Sequence, residues 1–381
     1  MERGRSKFRH PDGAIFIFRS YNLHVIFPIL LALALGGASA EIAPDLTGWT
    51  PSARWIEASS PNFRVVGALS EEECTVLLDD LELLRKLIGR RDAGGHAPVP
   101  GASVAPPTDD RPETVVVAFD RHRDFARYSP WPKARGIGGY FHSDGQTSYL
   151  VLDVSARAPW RETALHEAVH AELRTSRPNA PLWFQEGIAE IYSTLAIDGS
   201  EALVGLPIAR HRDVLRRQRW LPLDAVVTAT PEAKGYDASL TGELFYAQSW
   251  LLAHYLMIEP RRAEGLPQLL DRLATGEEFE EAIQAVYGLT PGRLSMQLRR
   301  WVEVSQWQFL RVPTTASGPP VRTSALSRAD VLARLGDLLA NRETGGDTLA
   351  RRHFEAALEL DPNQRLAIEG IVRLDQLSRR R

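Results

Sequence analysis

The sequence is poor in cysteine: Cys74 stands alone among 381 residues, so no intrachain disulfide and no multi-cysteine metal or iron–sulfur site can form. An excess of either charge is also missing. Lys and Arg number 45 against 48 Asp and Glu, a formal net charge of −3, which supplies no basic field to concentrate nucleic acid. Long apolar runs are lacking apart from one short stretch near the start, which excludes a polytopic membrane protein. What remains, 44% hydrophobic and 24% charged residues, lies near the average of globular chains and excludes wholesale disorder and collagen-like repeats. At roughly 150 residues per domain, the length allows two or three domains.

The N-terminus reads as an address. Arg3, Arg5, Lys7, Arg9 and Arg19 outnumber Glu2 and Asp12; an apolar run over residues 25–35 follows, then Gly36-Gly37 and Ala38-Ser39-Ala40. A basic region, a short apolar core and a small-residue A-x-A site predict an export signal over 1–40, cut before Glu41, and hence a periplasmic or secreted protein. The alternative is an uncleaved membrane anchor, although the run is well short of the roughly 20 residues that span a bilayer.

In the mature chain, Arg64-Val65-Val66 reads as a short strand. Ser70 and Glu73 form a capping box, after which Cys74, Leu77, Leu81, Leu84 and Ile88 recur at helical spacing, making Cys74 a buried small hydrophobe. Residues 90–113, rich in proline and glycine, predict a flexible loop. Residues 114–119 form a β-branched strand, a short helix lies around Phe125, and residues 138–141 and 148–152 flank the turn signal Ser143-Asp144-Gly145 as a hairpin. From Trp160 to about Leu310 the periodicity is helical. These parts, 41–159 and 160–310, predict an α+β domain: a small mixed sheet followed by a helical region. Residues 311–325 read as a linker before a last unit over 326–381.

Chemistry concentrates at His166-Glu167-Ala168-Val169-His170. On a helix, the i, i+4 spacing puts both imidazoles on one face, as two of the ligands of a tetrahedral zinc, and leaves Glu167 free to reach a bound water. A third ligand is needed. After the break at Pro178, a second helix begins at Pro181-Leu182-Trp183-Phe184-Gln185-Glu186-Gly187-Ile188-Ala189-Glu190, and a short connection packs it antiparallel against the histidine face. Glu186 and Glu190 share a face there. One can bind metal while the other accepts the free N–H of a ligand histidine. By spacing alone Glu190, separated from His170 by 19 residues, suits the ligand role better than Glu186, separated from it by 15.

The HExxH pattern, the Trp-Phe-x-Glu-Gly-x-Ala-Glu block at 183–190, Phe245-Tyr246-Ala247-Gln248-Ser249 and the upstream Ser60-Pro61-Asn62-Phe63-Arg64-Val65 together resemble the gluzincin metallopeptidases, specifically the peptidase MA-like families of exported proteins, over about residues 55–310. The resemblance implies a zincin-like domain with Zn²⁺ on His166, His170 and Glu186. It also implies Glu190 as the carboxylate behind a ligand histidine, Glu167 as general base and Tyr246 as donor to the oxyanion. His142, His211 and His254 have no partner at ligand spacing and read as surface or packing residues, and Arg210-His211-Arg212 with Arg216-Arg217 reads as a solvated basic face. In the last unit, Leu332-x2-Leu335-Gly336-x2-Leu339, Ala350-x3-Phe354-x2-Ala357 and Pro362 resemble one tetratricopeptide repeat with a longer turn at Gly345-Gly346. A further helix over 364–377 follows. A single repeat cannot bury its own face, so it is expected to dock on the preceding domain, with a free partner-binding groove as the alternative.

The resulting expectation is an exported zinc metallopeptidase acting on a peptide or protein, with the strand around 149–152 pairing with extended substrate. Two alternatives stand beside it: a silent zincin scaffold whose repeat binds a partner, and a zinc amidase acting on cell-wall peptides.

Overall fold

The structure, a computed structural model, describes residues 7–9, 15–17, 54–89, 114–130, 138–143, 147–155, 159–230, 240–304, 306–314, 321–341 and 346–379. The apolar core and cleavage site of the expected export signal, the 90–113 insert, the Asp144-Gly145 turn and the end of the chain lie outside them. No described helix is long and apolar enough to cross a membrane.

Near the start, β1 (Lys7–Arg9) and β2 (Ile15–Ile17) pair antiparallel. Then come β3 (Ile56–Ser59), β4 (Phe63–Gly67), α1 (Glu71–Gly89), β5 (Thr114–Phe119), α2 (His122–Tyr128), β6 (Gly139–Ser143) and β7 (Ser148–Asp153). The helical part holds α3 (Trp160–Ser176), α4 (Leu182–Ser193), the hairpin of β8 (Ala196–Asp198) and β9 (Glu201–Val204), and α5 (Ala209–Arg217). It continues with α6 (Leu223–Val227), α7 (Leu240–Ile258), α8 (Pro260–Ala274), α9 (Phe279–Tyr287) and α10 (Pro291–Val302). Last are β10 (Leu310–Pro313), β11 (Arg322–Ala325), α11 (Arg328–Ala340), α12 (Asp347–Leu360) and α13 (Arg365–Ser378). The fold is mixed α+β around one six-stranded sheet, in the order β11-β3-β4-β5-β7-β6. Strands β4, β5 and β7 run parallel, and the others join antiparallel.

Alternation along the strands explains the layers. Side chains at i and i+2 share a face, so Val65, Val116, Ala118, Leu150 and Leu152 meet α1, α3, α4 and α7, while Val66, Val115, Val117, Phe119, Tyr149 and Val151 meet α2 and α11–α13. Strands β5 and β7 are buried along their whole length, as expected for parallel strands covered on both sides. The α1 stripe is as read from spacing. Cys74, Leu77, Leu81, Leu84 and Ile88 are all buried, and each leucine contributes about 1.5–3 kcal/mol. The capping box also forms, with the Glu73 amide donating to Ser70 Oγ at 3.2 Å and the Ser70 amide to Glu73 Oε2 at 2.8 Å. The buried Glu82 carboxylate on α1 accepts from Ser60 Oγ, the Asn62 amide and Asn62 Nδ2, which pins the Ser60-Pro61-Asn62 turn between β3 and β4.

Three expectations need correcting. Residues 311–325 are not a plain linker: Arg311–Pro313 belong to β10, which pairs with β9, and Arg322–Ala325 form β11, which pairs with β3 at the sheet edge. The stretch read as continuously helical contains β8 and β9, turned at Ser200 and Gly199, the latter at φ +60°. The basic helix is solvated only in part: Arg216 and Arg217 are exposed as expected, but Arg210 and Arg212 are held in place. Arg210 pairs with Glu243 at 2.6 Å, and Arg212 donates to the carbonyls of Val302 and Val304 at the open C-terminal end of α10, where cations offset the helix dipole.

The C-terminal helices α11–α13 dock on the sheet, as expected of a unit too small to bury its own face. Helices α11 and α12 lay Leu332, Leu335, Leu339, Ala350 and Phe354 against the sheet face that carries Trp55, Phe119 and Tyr140. Gly336 lets the helices approach: a Cβ there would sit 2.7 Å from the Phe354 ring. The seam is also polar, with Tyr128 Oη donating to His353 Nε2 at 2.9 Å and His353 Nδ1–H to the Leu349 carbonyl at 2.8 Å.

Two predictions arise here. Gly187 on α4 faces the α7 backbone so closely that a Cβ would lie 2.4 Å from the Ser249 carbonyl oxygen. Gly187→Ala must push apart two helices that both carry candidate site residues, and is expected to cost about 1–3 kcal/mol in a urea titration. The second concerns His254, buried within α7: Nε2–H donates to the Gly205 and Gln308 carbonyls at 3.1 Å and Nδ1 accepts from Trp301 Nε1 at 3.0 Å. Every position of the neutral ring is used, and burial holds its pKa down at about 3. The unfolded chain takes up this proton below about pH 6.5 and the folded one does not, so stability falls as pH drops from 6.5 toward 3 and is untouched by this group above 6.5. Urea titrations at pH 7.0, 5.5 and 4.5 are expected to show a loss of a few kcal/mol, with a shallower slope in His254→Phe.

Candidate metal centre

Helix α3 lies against β6 and β7 on one side and against α4 on the other, so its middle is enclosed: His166, Glu167 and His170 are all buried. The break over 177–181 turns the chain back, and α4 runs beside α3 with Glu186 and Glu190 facing the histidines.

The donor atoms form a small triangle. His166 Nε2 and His170 Nε2 are 3.1 Å apart, and Glu186 Oε2 lies 3.4 Å from the first and 3.6 Å from the second. Donors placed tetrahedrally at 2.0–2.1 Å from a zinc ion are about 3.3 Å from one another. These three residues are the one His, Cys, Asp and Glu group among the described residues whose atoms converge for a metal. Glu186 Oε2 is buried with no hydrogen-bond partner, which leaves it available to a cation. Glu190 is on the other side of His166, with Oε1 3.6 Å from Nδ1, so it faces the nitrogen turned away from the triangle. Geometry therefore puts Glu186 in the triangle and not Glu190, the carboxylate that spacing alone favoured.

Electrostatically the pocket wants a cation, because three buried carboxylates, Glu167, Glu186 and Glu190, converge here. Burial opposes ionisation of Glu186, but the imidazoles of His170 and His166 outweigh it and hold the carboxyl at about 2. Burial likewise disfavours a charged His166, yet Glu186, Glu190 and Glu167 raise it to about 9. Glu167 goes the other way. Fully enclosed, it is pushed up by burial to about 7, although the imidazoles of His166 and His170 and the Phe141 amide of β6 pull the other way. Tyr246 on α7 is buried, and burial together with the carboxylates of Glu186, Glu190 and Glu167 keeps its hydroxyl protonated.

Two differences from the sequence reading bear on the site. Strand β7 lies between β5 and β6 and has no free edge for a substrate; among the described residues β6 pairs only with β7, so the open edge beside α3 is β6. His211 is buried and its Nε2 lies 3.1 Å from Glu190 Oε2. Sequence gave it no partner because that partner is on another helix; the only signal was a histidine amid arginines on a helix where a solvated face needs none. His142, by contrast, packs as expected, its Nε2 against the Asn341 carbonyl.

In comparisons with known proteins, no family model matches the chain and no curated protein is similar to it, so the functional reading rests on the site itself.

Proposed function

We propose that the protein is an exported zinc-dependent peptidase with its metal on His166, His170 and Glu186. The observation that carries this reading is the buried triangle of donor atoms at 3.1, 3.4 and 3.6 Å, with a fully buried carboxylate, Glu167, one residue from the first histidine. When bound, zinc supplies a Lewis acid that polarises the scissile carbonyl and eases deprotonation of water. Glu167 accepts a proton from the attacking water as the C–O bond forms, then passes it to the departing amine as the C–N bond breaks. Tyr246, kept neutral, donates to the oxygen on which negative charge develops. The open edge of β6 offers main-chain groups to an extended peptide.

A binding scaffold has no use for Glu167 as it stands, since enclosing a carboxyl so completely that burial outweighs its neighbours destabilises the fold where the group does no chemistry. The test is digestion of a peptide library. Cleavage is expected, with loss on treatment with 1,10-phenanthroline and recovery on adding zinc. Stoichiometric zinc with no cleavage of any peptide would sink the peptidase reading and leave the scaffold.

A further inference from the structure

Glu190 lies between two imidazoles. Its Oε1 is 3.6 Å from His166 Nδ1 and its Oε2 is 3.1 Å from His211 Nε2. Glu190 is 5% exposed and His211 8%, so neither contact is diluted by water. Every other residue assigned to the site so far comes from α3, α4 or α7, whereas His211 comes from α5.

That helix is fixed independently of the metal pocket. Arg210 pairs with Glu243 of α7, Arg212 and Arg216 donate to the carbonyl end of α10, and the His211 ring packs 5.5 Å from that of Trp250. His211 is thus delivered to Glu190 by a scaffold of arginines around it. Burying a lone imidazole beside a lone carboxylate costs desolvation of both, and hydrophobic pairs of the same shape do as well or better where only stability matters. The distance to His166 gives the pair another use. A carboxylate behind a ligand histidine fixes the ring's tautomer and angle, but a glutamate turns about its last bond unless its second oxygen is also held.

We infer that His211 is a positioning residue of the metal centre: it holds the outer oxygen of Glu190, so that the inner one stays on His166 Nδ1 and the His166 Nε2 lone pair stays on the triangle. The inference rests on reading that triangle as a metal site, and it is independent of whether the protein cleaves peptides. Neither contact of Glu190 is a closed hydrogen bond: its Oε1 stands 3.6 Å from His166 Nδ1 and His211 approaches Oε2 off the line, so both contacts are chiefly of charge and dipole.

The test measures zinc affinity by competition with a chromophoric chelator, for wild type, His211→Ala, His211→Phe, His211→Gln, Glu190→Ala and the double variant His211→Ala/Glu190→Ala. Weakening of about tenfold or more is expected in both the Ala and Phe variants, within the range for partners of ligand histidines. His211→Gln, which keeps an N–H dipole, is expected to regain most of the loss. In the Glu190→Ala background, removing His211 is expected to add nothing, because it acts through that carboxylate. The Co²⁺-loaded visible spectrum should shift in the same variants that lose affinity. His211→Phe fills the space without a donor, so it decides the question if the Ala variant does not fold. Wild-type affinity in His211→Phe, or losses that simply add in the double variant, would overturn the inference while leaving the metal centre intact. A wild-type protein that takes up no zinc would instead overturn the reading of the triangle, and this inference with it.

Discussion

Glu167→Gln is expected to bind zinc as the wild type does and to lose peptide hydrolysis by about 10²–10⁴-fold, the usual worth of a positioned acid–base group. The two side chains have the same shape and the site gives them the same enclosure: Glu167 is fully buried, and the amide oxygen of glutamine can still accept from the Phe141 amide. Coordination through His166, His170 and Glu186 does not pass through it. Only the proton does. The amide cannot accept a proton from water or return one to an amine, so the effect should fall on kcat rather than on metal content. Metal analysis beside a rate on the best library peptide checks both halves. Full hydrolysis by a zinc-loaded Glu167→Gln would place the base elsewhere.

The second large effect separates two glutamates that lie one helical turn apart. Glu186→Ala removes a corner of the donor triangle, and two imidazoles alone make a poor zinc site, so the purified variant is expected to hold well below one zinc per chain. Glu190→Ala removes only the carboxylate facing His166 Nδ1 at 3.6 Å; it is expected to keep stoichiometric zinc with affinity lower by about 10–100-fold. Metal quantification after dialysis against a weak chelator distinguishes the two. The reverse order of losses would give the ligand role to Glu190, as the 19-residue interval from His170 suggests.

The two candidate ligand carboxylates show what a sequence can and cannot carry. Periodicity alone put His166, His170 and both glutamates on facing helices, because i, i+4 relations and a short helical connection are local facts. Which oxygen faces Nε2 and which faces Nδ1 depends on how α4 rolls against α3, and that is set by Gly187 pressing into the Ser249 and Ala253 turn of α7. His211 was illegible for the same reason: its meeting with Glu190 is made by the α5 arginines seizing the end of α10, far along the chain. In the sheet, β4, β5 and the β6–β7 pair announced themselves through β-branched and apolar residues. The four-residue β11, Arg-Thr-Ser-Ala and exposed throughout, has no such signature. It is a strand because β3 offers it main-chain partners, and a stretch with that composition reads as a connector until its partner is in view.

That late strand has a temporal consequence. β3 and β11 are joined through Ile56 with Ala325 and Ser59 with Arg322, so one border of the sheet stays open until the chain has been delivered as far as Ala325. Much of the opposite sheet surface, with Trp55, Val66 and Val117, also waits for α11 and α12 to cover it. A chain emerging from its N-terminal end therefore holds the candidate metal centre together with an unfinished wall, and native packing waits for β11 and α11–α13 to arrive.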